Sequence, residues 1–263
     1  MSDTSRDESG SPDRFGFEWA TYSHVLPESR SQLERWLGPN TFDDFKGRTV
    51  LDAGCGMGRN PYWYVQAGAV RVVASDVDDQ SLNAARRNLA DFKQAEVKKC
   101  SIYDLAPEVV GSFDRVTCIG VLHHLENPPM ALAQMWSCVK PGGKLILWCY
   151  GRSGNGLLLP VIQAFRWIGS RLPVRLTHVL AKVISVPGWW FFKTMPWRTA
   201  YYRNLKNLSY PNFESIVFDQ ILPKIAHYWT ESDMKALLAP LGGEVRLDLV
   251  QGNSWTATVT KKP

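Results

Sequence analysis

The sequence predicts an α/β fold built on a seven-stranded mixed sheet that ends in an antiparallel hairpin, with a mainly helical insertion after the fifth strand. Three observations support this prediction. A short apolar run, Thr49–Ala53, enters a glycine-rich turn that leads to a helix start. From there to residue 150, strand-like and helix-like segments alternate, as they do in a parallel sheet. Near the C terminus, strand-like runs at 245–250 and 255–260 flank a Gln-Gly-Asn turn and predict the hairpin.

The five parallel strands are short apolar runs separated by helical segments. They are predicted at residues 49–53, 70–75, 97–100, 113–119 and 144–148. Because the carboxyl ends of parallel strands share one edge of a sheet, ligand-binding residues are expected in the turns that follow these strands.

The turn after the first strand carries glycine at three alternate positions, in the order Gly54-Cys55-Gly56-Met57-Gly58. Glycine lets the backbone adopt positive φ and approach a ligand closely, and the next helix points its N terminus at the same edge. A dinucleotide fingerprint, G-x-G-x-x-G, would require glycine at position 59, where the chain has Arg59. The spacing is therefore compatible with a ligand that lacks a pyrophosphate.

The first strand and its turn, Leu51-Asp52-Ala53-Gly54-Cys55-Gly56-Met57-Gly58, resemble the first motif of the class I S-adenosylmethionine-dependent methyltransferases. The turn and fifth strand at 140–148 are a second, independent similarity. The resemblance implies a Rossmann-like sheet, S-adenosylmethionine as the cofactor and methyl transfer as the activity. It covers residues 45–150 and 228–260 and no part of the insertion between them.

An acid, Asp76, ends the second predicted strand, 24 residues after Asp52. This is close to the spacing at which an acid binds ribose in nucleotide-binding βαβ units. Two ribose hydroxyls can each donate to one carboxylate oxygen, and the resemblance implies the same role. The alternative is an N-cap for the helix predicted at 79–89, but Asp78 or Asp79 could serve there equally well.

The resemblance implies further cofactor contacts in the turns that follow the first four strands. The predicted set is Asp52, Gly54, Cys55, Gly56, Gly58, Arg59, Asp76, Val77, Ser101, Ile102, Ile119 and Gly120. After the third strand, related methyltransferases often carry an acid that contacts the adenine amino group. The matching position here is Ser101, whose hydroxyl can accept a hydrogen bond, and Asp104 is the alternative if the alignment shifts.

Two adjacent histidines, His123 and His124, follow the fourth strand. One hypothesis places His123 at the mouth of the cofactor site as a base, with His227 as a second candidate base. In the alternative, one imidazole packs under the strand and the other caps a backbone carbonyl. The histidines lack carboxylate or cysteine partners at a usable spacing, so no metal site is predicted.

The N-terminal residues divide into two segments. Residues 1–14 are polar and without periodicity, which predicts a disordered tail. Residues 15–44 open with an aromatic cluster, which is either a clamp packed on the core or a flap over the ligand. The residues expected to contact the acceptor are Trp19, Tyr22 and Tyr228.

The composition changes in the insertion, residues 151–227. Residues 152–206 contain nine Lys or Arg and no Asp or Glu; because the whole chain carries +5, the remainder carries −4. Helices are predicted at 157–170 and 174–186, and aromatic residues crowd the stretch that follows. The compatible interpretations are a helical cap, a lid over the substrate, and contact of residues 157–192 with an anionic membrane surface.

These patterns lead to one functional prediction, with residues 45–150 and 228–263 as the catalytic core. We expect a cytoplasmic enzyme, or one peripheral at the membrane, that methylates a small lipophilic or aromatic acceptor at oxygen, carbon or nitrogen. The alternatives are an NAD-dependent oxidoreductase and a non-catalytic protein that binds a cofactor or a membrane surface. Since no nucleic-acid-binding motif accompanies the basic segment, no nucleic-acid partner is expected.

Overall fold

A computed structural model of the chain describes residues 11–155, 158–197 and 200–263. Its centre is one seven-stranded sheet with the order β3-β2-β1-β4-β5-β7-β6. The strands are β1 Thr49–Ala53, β2 Arg71–Asp76, β3 Ala95–Lys99, β4 Phe113–Ile119, β5 Val139–Tyr150, β6 Glu244–Val250 and β7 Ser254–Thr260. β1 to β5 are parallel, and β7 runs antiparallel to both β5 and β6. The predicted mixed sheet with its closing hairpin is confirmed.

Helices cover both faces of the sheet and form most of the insertion. They are α1 Pro12–Thr21, α2 Glu28–Trp36, α3 Arg59–Gln66, α4 Asp79–Asn88, α5 Pro107–Val110, α6 Pro128–Ser137, α7 Leu159–Gly169, α8 Val174–Thr194, α9 Ala200–Leu205, α10 Tyr210–Ile221 and α11 Glu231–Leu238. α7 to α10 lie between β5 and β6 in the chain, so the insertion is mainly helical.

The strand order reverses between β1 and β4. The chain builds β1, β2 and β3 outward in one direction and then returns to add β4 on the other side of β1. Such a reversal opens a crevice at the carboxyl edge, where the connections on the two sides diverge. The glycine-rich turn that follows β1 therefore lies at this crevice.

The sheet is a rigid platform because both of its faces are covered. One face packs against α6 and α11, with Leu51 and Met234 fully buried. The other packs against α2 and α3, with Val50 and Tyr64 fully buried. Burial of a large apolar side chain contributes about 1.5–3 kcal/mol. The turns at the carboxyl edge are consequently fixed relative to one another.

The insertion helix α8 is longer than predicted. The pattern predicted an end at residue 186, before Pro187, but α8 continues through this proline to Thr194. A proline inside a helix removes one backbone donor. Here the helix continues because it packs along α10, with Ala181 against Phe218 in one buried cluster. The predicted start of α7 at residue 157 lies outside the described residues.

The N-terminal helix α1 begins at Pro12, so residues 12–14 are helical and do not belong to a disordered tail. The physical reason is the Arg14 side chain, which is buried and ties α1 to the insertion. Its guanidinium donates hydrogen bonds of 2.8–2.9 Å to the carbonyls of Gly169, Leu172 and Leu222 and to the Thr177 hydroxyl. Residues 1–10 of the predicted tail lie outside the described part of the chain.

The insertion helices are too short or too polar to span a bilayer. The same holds for every other helix in the described part of the chain, since none combines the length and the apolar character that crossing a membrane requires.

Candidate active site

One cavity of about 570 Å³ runs from the carboxyl edge of the sheet into the insertion. Its sheet end is lined by the glycine-rich turn, Asp76, Ile119 and Gly120. Its helical end is lined mainly by apolar and aromatic side chains of α7 to α10, including Ile162, Phe165, Phe192, Tyr202 and Ile216. The cavity therefore joins a polar backbone surface to a wall of apolar and aromatic side chains from α7 to α10, which we call the apolar sleeve.

The turn at the sheet end can only be built with glycine. Gly56 has φ +53°, and a Cβ at this position would lie 2.9 Å from Trp19 Nε1. Gly58 has φ +81°, and its Cβ would lie 3.1 Å from the Ala85 backbone. The bare backbone lets α1 cover the turn on one side and α4 support it on the other.

The Asp76 carboxylate lines the cavity and holds the turn in place. Its Oδ2 accepts a hydrogen bond of 2.9 Å from the Gly56 amide, and its Oδ1 accepts from the Val77 and Asp78 amides at 2.8 and 3.0 Å. Burial raises the pKa of Asp76, and these three amides oppose that shift. A carboxylate has about four acceptor sites, so one further donor can bind. The N-cap of α4 is Asp78, which accepts from the Ser81 amide, so capping does not account for Asp76.

Most of the predicted cofactor contacts line the cavity. They are Gly54, Cys55, Gly56, Arg59, Asp76, Val77, Ile102, Ile119 and Gly120. Trp19 and Tyr228, two of the three predicted acceptor contacts, also line it. Local sequence patterns at the strand ends therefore locate the sheet end of the cavity well.

Three other predicted contacts lie behind the cavity wall. Asp52 is buried, with its Oδ1 accepting from the Thr117 hydroxyl at 2.6 Å. Burial raises the pKa of Asp52 to about 7. Gly58 faces α4, and the Ser101 hydroxyl accepts from the Tyr103 amide, which caps the short turn at 102–104. These residues support the turns and do not line the cavity.

Tyr22 was also predicted to contact the acceptor, but it lies apart from the cavity lining. It packs at the edge of the cluster formed by α8 and α10, which includes Phe218. Burial raises its pKa to about 12. The orientation of α1 is the physical reason: Glu18 and Trp19 face the cavity, whereas Tyr22 faces the insertion.

The predicted base His123 does not reach the cavity. It is fully buried, its ring centroid lies 3.8 Å from that of Tyr150, and neither ring nitrogen has a hydrogen-bond partner in the described structure. Burial lowers its pKa well below the usual value. The ring of His124 lines the cavity instead, with Nδ1 2.8 Å from the Ile225 carbonyl. The structure therefore fits the alternative in which one imidazole packs under the strand and the other caps a backbone carbonyl, and not the hypothesis of a base at the mouth of the cofactor site.

His227, the second predicted base, is also directed away from the cavity. Its Nε2 lies 3.1 Å from the Leu125 carbonyl, and its ring stacks on Trp229 with centroids 5.5 Å apart. Its backbone amide donates to the His123 carbonyl at 2.8 Å. His227 therefore joins two loops.

Sequence patterns missed two acids that line the middle of the cavity, Glu18 of α1 and Asp219 of α10. Glu18 is 2% exposed, and burial, reinforced by the Asp219 charge, raises its pKa well above the usual value. The signal for Glu18 was its place as the one acid within an aromatic stretch at 15–22. Nothing in the sequence around Asp219 marks it.

Arg59 lies in the same part of the cavity. Its guanidinium carbon is 5.4 Å from the ring centroid of Trp19 and 5.3 Å from that of Trp36. In the described structure no carboxylate lies within salt-bridge distance of this guanidinium. Two of its faces are thus covered by rings while its hydrogen-bond donors remain available.

Comparison with known proteins identifies the sheet end of this site. A family model described as "Methyltransferase domain" matches residues 51–147. The ubiquinone biosynthesis O-methyltransferase of Dechloromonas aromatica (strain RCB) is 34% identical over 140 residues, which cover 53% of this chain and 59% of that protein. The enzyme of the same name from Xanthomonas oryzae pv. oryzae (strain PXO99A) is 37% identical over 136 residues, or 51% of this chain and 56% of that one. Residues 51–147 therefore match a methyltransferase domain.

The matches beyond this methyltransferase domain are matches of fold. The structure titled "DhpI-SAH complex" covers 99% of both chains with a TM-score of 0.61 at 15% identity. Magnesium protoporphyrin IX methyltransferase (ChlM) from Synechocystis PCC 6803 with bound SAH covers 98% of both chains, with a TM-score of 0.56 at 18% identity. By contrast, the chain spans only somewhat more than half the length of the curated relatives that it matches in sequence.

The methyltransferase domain supplies one end of the cavity only. Glu18, Tyr150, Asp219 and Tyr228 all line the cavity and all lie outside residues 51–147. The part of the site that faces the helical insertion is therefore particular to the rest of this chain.

Proposed function

We propose that the protein transfers a methyl group from S-adenosylmethionine to a small acceptor with a large apolar surface. The observation that carries this proposal is one continuous cavity, which joins the glycine-rich turn and Asp76 to an apolar sleeve in the insertion. A nucleoside fits the first end, and a lipophilic or aromatic molecule fits the second.

The residues at the sheet end suit the cofactor. The Asp76 carboxylate has acceptor capacity left for a ribose hydroxyl. Ile102 offers an apolar surface to the adenine ring, and the backbone of Gly54 and Gly56 allows close approach. Arg59 has donors available for the carboxylate of the methionine part.

The main task of the protein in this reaction is to orient the acceptor relative to the methyl group. The bound cofactor supplies an activated methyl group on a sulfonium, so the nucleophile needs only to be held in line with it. The apolar side chains of α7 to α10 exclude water from the acceptor. The curated relatives are named as O-methyltransferases, which supports oxygen as the first acceptor atom to test.

The organisation of the chain follows from this proposal. Residues 45–150 and 228–263 form the catalytic core, residues 15–44 provide a flap over the cofactor, and residues 151–227 form a lid over the acceptor. Trp19 of α1, which covers Gly56, supports the flap interpretation. Phe165 and Phe192, which line the helical end, support the lid interpretation.

Calorimetric titration tests the proposal against its alternatives. We expect the purified protein to bind S-adenosylmethionine and S-adenosylhomocysteine and to show no heat with NAD. Transfer of label from methyl-labelled S-adenosylmethionine to an alkylated phenol would then demonstrate the activity. Binding of NAD without S-adenosylmethionine would overturn the proposal in favour of an oxidoreductase. Cofactor binding without transfer to any phenol, alcohol or amine would favour a non-catalytic protein.

We further propose that the outer face of α8 contacts an anionic membrane surface. Apolar side chains at helical spacing are about half exposed along this face, namely Leu176, Val179, Val183, Val186 and Trp190. Arg175, Lys182 and Lys193 lie along the same helix. An exposed apolar strip with basic neighbours is typical of helices that lie in the membrane interface. The other side of α8 packs inward through Ala181.

Co-sedimentation with phosphatidylglycerol vesicles tests this contact. The Val179→Ser/Val183→Ser variant should lose most of its vesicle binding, while S-adenosylmethionine binding should be unchanged. The matched control is Val70→Ser, because Val70 is 58% exposed and Val183 is 63% exposed. Equal loss in the two variants, or equal binding to phosphatidylcholine vesicles, would contradict the proposal. The five cysteines are all buried and form no disulfide in the described part of the chain, which supports a cytoplasmic location for the protein at that surface.

A further inference from the structure

Two carboxyl groups meet the cavity where its sheet end joins its helical end. Glu18 comes from α1 and Asp219 from α10, 201 residues later in the chain. Their charges influence each other, since the Asp219 charge helps raise the pKa of Glu18. Neither acid belongs to the matched methyltransferase domain.

Hydrogen bonding does not account for the burial of Glu18, although the charge of Arg59 opposes the rise of its pKa. Its Oε2 has no hydrogen-bond partner in the described part of the chain, although the side chain is only 2% exposed. A buried polar atom without a partner costs about 1–3 kcal/mol. The tie between α1 and the insertion is made by Arg14 and does not use Glu18. A ligand in the cavity would satisfy this oxygen.

Asp219, in contrast, is held firmly in position. The Tyr150 hydroxyl donates to Asp219 Oδ2 at 3.0 Å, and the Gln220 amide nitrogen donates to the Tyr150 hydroxyl at 2.8 Å. Arg166 fixes this chain from the other side, donating to the Gln220 backbone carbonyl at 2.8 Å and to the Tyr228 hydroxyl at 2.9 Å. Because Tyr150 ends β5, the network fixes the Asp219 carboxylate relative to the carboxyl edge of the sheet.

We propose that Asp219 accepts a hydrogen bond from the reacting hydroxyl of an uncharged, largely apolar acceptor and takes its proton during methyl transfer, while the protonated carboxyl of Glu18 donates to the same oxygen. This inference rests on the proposed function. The acceptor oxygen forms a bond to the methyl carbon, and the bond from this carbon to sulfur breaks with its electron pair left on sulfur. The hydroxyl proton passes to the Asp219 carboxylate and from there to solvent when the product leaves.

The rival base within the cavity is His124. Burial lowers the pKa of His124 to about 3, so its imidazole is a weak proton acceptor. Its Nδ1 is already engaged with the Ile225 carbonyl at 2.8 Å. Burial raises the pKa of Asp219 although the Tyr150 hydroxyl opposes that shift, so the Asp219 carboxylate is the better proton acceptor.

The acceptor's polar end is expected to be uncharged because this part of the cavity disfavours charge: burial raises the pKa of both Glu18 and Asp219, and the nearby Arg59 charge opposes these shifts without reversing them. A carboxylate or phosphate on the acceptor would be desolvated in the same way, while the apolar sleeve favours a hydrocarbon substituent. A phenol with a long alkyl chain has the chemistry that this arrangement selects.

Binding of para-nonylphenol in the presence of S-adenosylhomocysteine tests the inference. The wild-type protein should bind para-nonylphenol about tenfold more tightly than para-nonylanisole, which lacks the hydroxyl. Asp219→Asn and Glu18→Leu should each reduce this preference, and the surface control Asp248→Asn should retain it. Equal binding of the two probes by the wild-type protein would overturn the inference, as would an unchanged preference in Asp219→Asn.

Methyl-transfer rates separate a base from a merely structural residue. Asp219→Asn should slow methylation of para-nonylphenol by about 100-fold and slow methylation of the more acidic ortho-nitro-para-nonylphenol much less. A structural role would slow both equally, and that result would overturn the assignment. Wild-type protein that fails to bind S-adenosylhomocysteine would instead overturn the proposed function, so the two failures are distinguishable.

Discussion

The Asp76 carboxylate accepts a hydrogen bond of 2.9 Å from the Gly56 backbone amide. The acid that ends β2 thereby holds the turn that follows β1. Because Gly56 also lies under the Trp19 indole, one carboxylate links the sheet, the turn and the covering helix α1. In the proposed function the same group binds ribose, so cofactor binding and turn geometry would both depend on a single side chain.

Replacing Asp76 with asparagine should weaken S-adenosylmethionine binding about thirtyfold, because charge-assisted hydrogen bonds to the turn and to ribose are lost. The dissociation constant from calorimetry measures this effect. The control is Asp79→Asn, since Asp79 is exposed on α4 and pairs with Lys99. Equal weakening in the two variants would show that the charge of the region matters and the position of Asp76 does not.

Substitution of Gly56 by alanine should lower the free energy of unfolding by more than the cost of positive φ alone, which is about 1–2 kcal/mol. The new methyl group would lie 2.9 Å from Trp19 and displace α1 from the turn. Chemical denaturation measures the loss. Gly47→Ala is the matched control, because Gly47 has φ +69° and a Cβ added there would have no atom within 4 Å. If both variants lose the same stability, the contact with Trp19 is unimportant.

Asp52→Asn should change how stability depends on pH. Burial raises the pKa of Asp52 from 3.8 to about 7, so the folded state holds a proton that the unfolded state has already lost. Between these values the wild-type free energy of unfolding should fall by about 1.4 kcal/mol per pH unit through this group, and above the folded pKa this contribution stays constant.

The asparagine side chain does not titrate, so the variant should be more stable than wild type at about pH 8, and the gain should disappear toward about pH 4. Urea denaturation across this range provides the measurement. Asp91→Asn, at an exposed position, controls for the loss of a surface charge. Parallel curves for wild type and Asp52→Asn would refute the prediction.

His123→Leu should keep methyl transfer close to the wild-type rate. The ring is fully buried and both nitrogens lack partners in the described structure, so an apolar replacement removes an unfavourable burial. Stability should be unchanged or higher. Loss of a catalytic base would instead slow the reaction about 100-fold or more, which initial rates with para-nonylphenol as the acceptor would reveal.

Local patterns predicted the sheet and the residues at its carboxyl edge. The bounds of β4 agree with the prediction for 113–119, and Asp76 and the glycine-rich turn lie at the cavity as expected. These features depend on strand periodicity and turn chemistry, which neighbouring residues determine. Neighbouring residues do not determine the orientation of the His123 side chain. It depends on an irregular turn and on the Tyr150 ring against which His123 packs.

The middle of the cavity could not be predicted for a related reason. Glu18 and Asp219 come from helices at opposite ends of the chain, and only tertiary packing brings them to one cavity. The extension of α8 beyond Pro187 likewise depends on α10 packing along it. A single sequence holds no short-range signal for either arrangement.

The four hydrogen bonds of Arg14 have a mechanical consequence. They fasten α1 to the start of α8, to the end of α7 and to the residue after α10, so the two coverings of the cavity are joined to each other. Under the proposed function, moving α1 to release the nucleoside would also move the insertion that covers the acceptor. Spent cofactor and finished product would leave through one gate, in a single opening event.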